Sequence, residues 1–303
     1  MRIAIGIGLA GFLVLIGLLL YSPVFFLNIT IKRMAAKDPA DAAPAPCWLD
    51  GRGGEPVSLV SFDGLILRGI YIPALPSSGR TVILAHGYRG VGRELSDYAR
   101  FFYEKLGYNL LIPDARSHGA SEGTYIGFGW LERLDYLRWI DWAKERTAGA
   151  ENAGIVLFGV SMGAATVMMT AGEELPREVR AVIEDCGYTS AVEEIRHVMR
   201  TRYHLSSPLL LTIAGKLVKK RAGYAFEEAS SIGQVRKAKV PILFIHGDAD
   251  TFVPSWMVYP LYEACGSEKE LYVVKGAGHT KAYTTDPALY ERRVSAFLEK
   301  YVP

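Results

Sequence analysis

The stretch that decides the fold is GIVLFGVSMGAATVMM, residues 154–169, which places one serine where the residue pattern changes. Before Ser161 the residues are apolar and continuous, as is typical of a buried strand, and after it they are small or favour helices. Glycine stands two residues to either side, at Gly159 and Gly163. Glycine at these positions permits a sharp turn in which larger side chains would clash. The stretch therefore predicts a strand, a tight turn carrying a serine hydroxyl, and a helix.

The rest of the chain repeats the alternation of strand and helix. A β-hairpin is predicted first, around the turn at Asp63-Gly64. Short apolar runs then follow at 81–87, 108–114, 180–185, 240–247 and 270–276, and the segments between them, such as 93–107 and 129–147, show helical periodicity. This order predicts an α/β fold whose mostly parallel sheet has about eight strands, with helices on both faces.

Composition narrows the class of function. The chain has 303 residues, half of them apolar, and a formal net charge of +2, so nothing indicates a nucleic-acid surface. Its three cysteines are widely spaced, and its histidines lack metal-ligand spacing. We therefore expect no disulfide framework and no metal.

The amino-terminal segment differs from the rest in having no charged residue from Ile3 to Leu27. About 20 apolar residues are enough for a membrane-spanning helix, whereas the apolar region of a cleaved signal peptide has about 7 to 15. This favours a retained membrane anchor over residues 1–31, followed by a linker over 32–56 and a catalytic domain over 57–303. Basic residues flank both sides of the run, so the side of the membrane stays open.

One interval breaks the strand-helix alternation, between the strand ending at Asp185 and the one starting near Val240. A crossover between parallel strands needs only about a dozen residues. The excess predicts a small helical cap inserted at about 187–237. Its apolar, aromatic and arginine side chains would line a pocket or only pack on the body of the domain.

A serine hydroxyl needs a histidine base, which in turn is oriented by a carboxylate. Asp250 follows one predicted strand and His279 follows the next, so both should lie at the same edge of the sheet as Ser161. Asp248 and Asp185 are the competing carboxylates, and Asp185 also ends a strand.

Negative charge that develops during attack on a carbonyl group needs backbone donors. The amide of Met162 stands at the start of the predicted helix, where N–H groups are unpaired. The second predicted donor is the amide of Tyr88, in the glycine-bearing loop after an earlier strand.

These motifs resemble those of the α/β-hydrolases, and their spacing is similar to the branch of monoacylglycerol lipases, serine aminopeptidases and membrane-anchored bacterial esterases. The matching pieces cover about residues 57–302 and are His86-Gly87-Tyr88-Arg89-Gly90, PDARSHGASEG at 113–123, GVSMG at 159–163, HGDADTFVP at 246–254 and GAGH at 276–279. The resemblance implies hydrolysis through an acyl-serine intermediate without a cofactor, with Asp250 as the acid and His279 as the base.

We expect a membrane-anchored serine carboxylesterase whose substrate is a small-molecule or lipid ester with a short or medium acyl chain. An amidase or aminopeptidase would use the same three residues, and a non-catalytic binding protein on a hydrolase fold is the alternative from another class. Oligomeric state, acyl length and leaving group stay open.

Overall fold

The computed structural model describes residues 23–33, 47–150 and 152–302. Within them lies one sheet of eight strands, in the spatial order β1-β2-β4-β3-β5-β6-β7-β8. The strands are β1 (Glu55–Val60), β2 (Ile66–Ile72), β3 (Arg80–Ala85), β4 (Asn109–Pro113), β5 (Gly154–Val160), β6 (Val179–Asp185), β7 (Ile242–Gly247) and β8 (Lys269–Val274).

Pairing in the sheet is antiparallel at one edge and parallel elsewhere. β1 and β2 form the predicted hairpin, with Val60 opposite Ile66, and β2 also pairs antiparallel with β4. From β4 onward every pairing is parallel. The prediction of an α/β-hydrolase fold with a mostly parallel sheet is confirmed.

Ten α-helices accompany the sheet in the described part of the chain. They are α1 (23–31), α2 (Ser96–Arg100), α3 (Glu132–Arg146), α4 (Met162–Ala171), α5 (Ala191–Arg202), α6 (Pro208–Ala222), α7 (Ser231–Val235), α8 (Val258–Ala264), α9 (Ala282–Thr285) and α10 (Pro287–Tyr301). The last helix begins as predicted, because the Asp286 carboxylate accepts a hydrogen bond from the Leu289 amide and Pro287 occupies the first turn.

Two apolar layers cover the two faces of the sheet. One packs α2 and α10 on the sheet, with Phe102, Phe158 and Phe297 buried together. The other packs α3, α4 and α8 on the opposite face, around Trp139 and Phe244. Because both faces of the sheet are covered, β5 at its centre is apolar along its whole length, and all seven of its residues are buried.

The cap consists of α5 and α6, which lie within the predicted insertion at 187–237. Its inward face joins a third apolar cluster with Ile195, Met199 and Val218. Tyr224 and Tyr188 fasten this region to the loop before α3, since their hydroxyls donate to the carbonyl oxygens of Ile126 and Phe128. α7 belongs to the same interval but packs on α4, in the body of the domain.

The predicted membrane anchor extends over residues 1–31, of which 1–22 lie outside the described residues. Its last part, α1, packs against the third apolar cluster and buries Phe26, Leu27 and Ile31. The Arg33 guanidinium then donates to the carbonyl oxygens of Ser121 and Gly119, at 2.5 and 2.7 Å. No helix within the described ranges is long and apolar enough to cross a membrane.

The end of the predicted linker also packs on the domain. The Trp48 indole donates to the Glu104 carboxylate at 2.7 Å, and Arg93 pairs with Asp50. The structured domain therefore includes residues 47–56, which the sequence had assigned to the linker, because an aromatic ring and charged groups find partners there.

Candidate active site

Ser161 occupies a strained turn between β5 and α4. Its backbone has φ +57° and ψ −117°, in the region of positive φ that residues with a Cβ atom rarely adopt. The flanking glycines are required by contact distances. A Cβ atom on Gly163 would lie 2.0 Å from the carbonyl oxygen of Ala85, and one on Gly159 would lie 2.2 Å from the carbonyl oxygen of Gly163.

The structure brings Ser161, His279 and Asp250 into one hydrogen-bonded chain. His279 Nε2 lies 2.9 Å from Ser161 Oγ, and His279 Nδ1 lies 2.7 Å from Asp250 Oδ2. Ser161 follows β5, Asp250 follows β7 and His279 follows β8, so three strand ends converge at one edge of the sheet. This is the arrangement in which a histidine can take a proton from a serine.

The surroundings of Asp250 keep its carboxylate ionised. Burial alone would raise its pKa, but hydrogen bonds from His246 and His279 and from the Phe252 amide lower the pKa to about 2. Its Oδ1 atom accepts from the amides of Phe252 and Val253, at 2.9 and 3.1 Å. The Asp250 carboxylate is thereby fixed in position and kept negative beside the imidazole ring.

The two competing carboxylates have other partners. Asp185 accepts hydrogen bonds from the hydroxyls of Tyr290 and Tyr98, at 2.9 and 3.4 Å, and burial raises its pKa to about 6. Asp248 accepts from the Gly276 amide at 2.6 Å and braces the loop that carries His279. Of the three aspartates, Asp250 is the one whose carboxylate is hydrogen-bonded to His279.

The predicted oxyanion loop lies against the serine. A Cβ atom on Gly87 would be 3.6 Å from the Ser161 Cβ atom, so the loop passes within van der Waals contact of the serine. Tyr88 and Met162 both line the cavity in front of Ser161. Their role as amide donors stays a prediction.

Two buried histidines hold this loop. His86 Nε2 accepts from the Ala115 amide at 2.9 Å, and His118 Nε2 accepts from the Arg89 amide at 3.0 Å. Burial, with the neighbouring His118 adding to it, lowers the pKa of His86 to about 4. Both rings therefore act as neutral hydrogen-bond acceptors that tie the loop to residues 115–118.

An apolar cavity of about 250 Å³ opens on one side of Ser161, and we call it the acyl pocket. Its walls come from the cap and from the loops at the strand ends, and they include Tyr88, Phe128, Met162, Tyr188, Glu194, Ile195, Val198, Met199, Arg202, Phe252 and Val253. Of the two roles that the sequence left open for the cap, the structure shows that its side chains line a pocket.

Sequence analysis missed one wall of this pocket. Phe26, Ile29 and Thr30 of α1 line it, although the sequence assigned them to a membrane anchor. Tyr88 holds α1 in place, because its hydroxyl donates to the Thr30 carbonyl oxygen at 2.7 Å, and Arg89 binds the Ile29 carbonyl oxygen. No signal in the sequence distinguishes an apolar helix that packs on protein from one that packs on lipid.

A second cavity lies on the other side of Ser161 and His279, and we call it the polar cleft. Its volume is about 440 Å³, and its polar lining includes Glu94, Asp97, Lys281 and Thr284. The serine and the histidine therefore stand between an apolar cavity and a cavity whose lining is more polar.

The site also contains a cysteine that could take part in metal binding. Ligand atoms of Cys186, Asp250 and His279 lie within 4.8 Å of one another. The hydrogen bond between Asp250 and His279 already engages two of these groups, and burial raises the pKa of the Cys186 thiol well above its ordinary value. Cys186 is a buried free cysteine, and its raised pKa keeps it a thiol.

Comparison with known proteins agrees with the fold. The Pyrococcus furiosus esterase Pf2001 superposes with a TM-score of 0.68 at 24% identity, over 90% of this chain and 99% of that protein. Fold and strand-end site thus define an α/β-hydrolase.

The family is defined more closely by sequence. The profile of the prolyl oligopeptidase family matches residues 129–303. The Bacillus subtilis protein YqkD is 31% identical over 237 residues, which cover 78% of this chain and 76% of YqkD. The α/β-hydrolase domain-containing protein WAV2 of Arabidopsis thaliana is 26% identical over 82% of this chain and 80% of its own length. This chain belongs to the prolyl oligopeptidase family.

The buried histidine of the oxyanion loop predicts a pH-dependent loss of stability. The pKa of His86 is lower in the folded state than the ordinary value of about 6.5, so its contribution is present above that value and is lost as the pH falls towards 4. Between pH 7 and pH 5 we expect this group to cost about 2 kcal/mol of unfolding free energy. Urea unfolding at both pH values measures it.

His86→Gln keeps a donor and an acceptor but has no group that titrates in this range. We expect the difference between the two pH values to shrink by about 2 kcal/mol in this variant. His204→Gln, at an exposed position of the cap, is the control for removal of a histidine. Equal pH dependence in wild type and His86→Gln would contradict the assignment.

Proposed function

We propose that this protein is a serine carboxylesterase that cleaves esters of short or medium acyl chains, including lipid-derived ones, through an acyl-serine intermediate. The observation that carries the proposal is the hydrogen-bonded chain from Ser161 through His279 to Asp250, standing between the acyl pocket and the polar cleft. The apolar pocket suits the acyl chain, and the polar cleft suits the alcohol.

The chemistry follows from the positions of the protons. As Ser161 Oγ attacks the ester carbonyl carbon, His279 Nε2 takes its proton, and the ionised Asp250 stabilises the imidazolium. The amides of Tyr88 and Met162 are the proposed donors to the oxyanion. His279 then gives its proton to the alcohol oxygen as the C–O bond breaks, and a water activated by the same ring hydrolyses the acyl-serine.

Cleavage of an amide is the second candidate, favoured by the match to the prolyl oligopeptidase family. It would use the same three residues and the same proton transfers. Turnover of nitrophenyl esters compared with aminoacyl nitroanilides separates the two candidates. A non-catalytic protein on this fold would turn over neither.

The first test concerns the acid. Asp250→Asn should lower kcat on a nitrophenyl ester by about three to four orders of magnitude, because the amide cannot stabilise the imidazolium. Asp248→Asn should stay within about tenfold of wild type, since Asp248 braces a loop. Hydrolysis rates of the nitrophenyl ester give kcat for both variants, and circular dichroism checks that both are folded.

Asp185→Asn and Ser161→Ala complete this series. Asp185 is bonded to two tyrosines, so its replacement should affect stability more than kcat. Ser161→Ala should lose labelling by a fluorophosphonate probe. If Asp185→Asn alone abolishes turnover while Asp250→Asn stays near wild type, the proposed acid is wrong. If the Ser161→Ala variant is labelled as strongly as wild type, Ser161 is not the nucleophile.

The second test concerns the wall formed by α1. Phe26 lines the acyl pocket and is 7% exposed, whereas the adjacent Phe25 is 53% exposed and lies outside the lining. Phe26→Ala enlarges the pocket and should raise the kcat/KM ratio of long to short acyl esters by at least about fivefold, since one methylene in an apolar pocket is worth about 1 kcal/mol or more.

Phe25→Ala is the matched control, because it removes the same side chain from the same helix outside the pocket. Nitrophenyl esters of increasing acyl length measure both profiles. Identical profiles for the two variants would mean that α1 does not contact the acyl chain.

We also propose that the apolar segment ahead of α1 is retained as a membrane anchor. The uncharged run over residues 3–22 supports this, as do the exposed side chains of Tyr203, Leu205 and Leu209, of which Tyr203 lines the acyl pocket. A pocket that opens beside a membrane would suit an acyl chain taken from lipid.

The anchor predicts that the full chain stays in the membrane pellet after alkaline carbonate extraction. Leu15→Arg places a charge within the apolar run, at a cost of about 2.5 to 3.5 kcal/mol for insertion, and should release part of the protein. Ala36→Arg, beyond the run, is the control. Recovery of mature protein that lacks its first thirty residues would show a cleaved signal peptide instead.

A further inference from the structure

The acyl pocket contains a carboxyl group that the proposed reaction does not use. Glu194 lies in the first turn of α5, is 5% exposed, and is the carboxyl-bearing residue among those described as lining the pocket. Neither of its carboxyl oxygens has a hydrogen-bond partner among the described residues. Nor does it belong to an ion pair within the described ranges.

Helix structure does not explain this carboxyl group. The start of α5 is capped by Ser190, whose hydroxyl accepts from the Glu193 amide, and the Glu193 side chain bonds to Thr189. The Glu194 side chain neither caps the helix nor bonds to a neighbouring side chain among the described residues. Ile195 and Met199, which line the pocket beside it, are apolar. A buried polar group without a partner lowers stability, so a leucine of similar volume would be favoured here if packing were all that mattered.

The charge state of Glu194 follows from its neighbours. Burial, together with the negative charge of Asp250, raises the pKa of Glu194 to about 8, against a smaller opposing effect of His246. At neutral pH the side chain is therefore a carboxylic acid, with one O–H donor and a carbonyl acceptor. Such a group can bind a carbonyl or hydroxyl oxygen without burying a net charge.

The remaining charged and titratable groups of the pocket favour a neutral partner. Arg89 and Arg202 line it as cations and would repel an ammonium group. Arg89 is bound to the Ile29 carbonyl oxygen, and Arg202 lies over the Phe252 ring. Three tyrosines, Tyr88, Tyr188 and Tyr203, complete the set, and burial raises the pKa values of Tyr88 and Tyr188.

We propose that Glu194 binds an oxygen atom carried by the acyl part of the substrate, so that the preferred acyl group is an oxo- or hydroxyacyl chain and not a plain alkyl chain. This rests on the proposed function, because it assumes that the pocket beside Ser161 receives the acyl group. Glu194 is then a specificity-determining residue that contacts the substrate away from the reacting bond.

The test compares esters that differ in one oxygen. Nitrophenyl hexanoate is measured against nitrophenyl 4-oxohexanoate and 5-oxohexanoate with the full-length protein. One hydrogen bond from Glu194 should raise kcat/KM for at least one oxo ester about tenfold over hexanoate. Equal kcat/KM for all three esters would overturn the proposal, while turnover of hexanoate would leave the esterase function standing.

Three variants locate the effect. Glu194→Leu should reduce the oxo-to-plain ratio to about one and raise kcat/KM for hexanoate, because it replaces a polar group in an apolar wall. Glu194→Gln keeps a donor and an acceptor and should keep the preference. Glu193→Gln, one residue away and outside the pocket lining, should keep the wild-type ratio.

A role through the triad would have a different signature. If Glu194 acted only on Asp250, Glu194→Leu would lower kcat for every ester by the same factor and leave the ratio unchanged, which would overturn the proposal. If Glu194→Leu does not fold, the pH dependence of the oxo-to-plain kcat/KM ratio provides the test instead. The wild-type ratio should fall as the pH rises through about 8 and the donor is lost, and the Glu194→Gln ratio should stay level. A level wild-type ratio would count against the proposal.

Inactivity of all forms towards every ester, together with absence of fluorophosphonate labelling at Ser161, would refute the proposed function itself. That outcome differs from the one in which the protein hydrolyses the esters but does not prefer the oxo esters. The remaining comparison uses an aminoacyl nitrophenyl ester. A preference for this ester over the oxo esters would show that Glu194 ionises to bind an ammonium group. The proposal that Glu194 binds a neutral oxygen atom would then be wrong.

Discussion

The close approach of the turn at Ser161 to the end of β3 is the constraint on which the rest of the site depends. A backbone at φ +57° costs about 1 to 3 kcal/mol for a residue with a Cβ atom and persists only where its surroundings force it. Here they do, because β5 is buried between β3 and β6, and the Ser161 amide is held by the Asp185 carbonyl oxygen at 2.8 Å. The strain places the hydroxyl above the sheet edge, within reach of His279.

The same edge shows how buried ionisable groups take opposite charge states according to their partners. Asp250 is ionised because hydrogen bonds from two histidines and from backbone amides lower its pKa. Glu194 is protonated because burial, together with the negative charge of Asp250, raises its pKa, and it has no hydrogen-bond donor among the described residues. His86 is neutral because burial, with the neighbouring His118 adding to it, lowers its pKa. The proton transfers of the proposed reaction are thereby confined to the hydrogen-bonded residues Ser161, His279 and Asp250.

Local patterns in the sequence predicted the strands, the hairpin, the serine turn and the order of serine, acid and histidine, because each depends on residues near one another in the chain. The choice of Asp250 over Asp185 came from the resemblance, and geometry supplies the physical difference: Asp185 is engaged by Tyr290 and Tyr98. Contacts between distant segments could not be predicted. Hydrophobicity alone does not tell α1 from a membrane helix, and Glu193 and Glu194 look alike as acidic residues of a first turn.

The position of α1 links the amino-terminal segment to substrate binding. Its side chains at Phe26 and Ile29 form one wall of the acyl pocket, while Tyr88 of the predicted oxyanion loop holds its carboxyl end. Any molecule that fills the pocket contacts α1 only when the helix is docked, so binding must stabilise the docked helix by the free energy of that contact. Because linkage is reciprocal, any interaction that holds α1 in its docked position also favours binding of the acyl chain. An anchor ahead of α1 would thus act on the pocket and not only on the location of the protein.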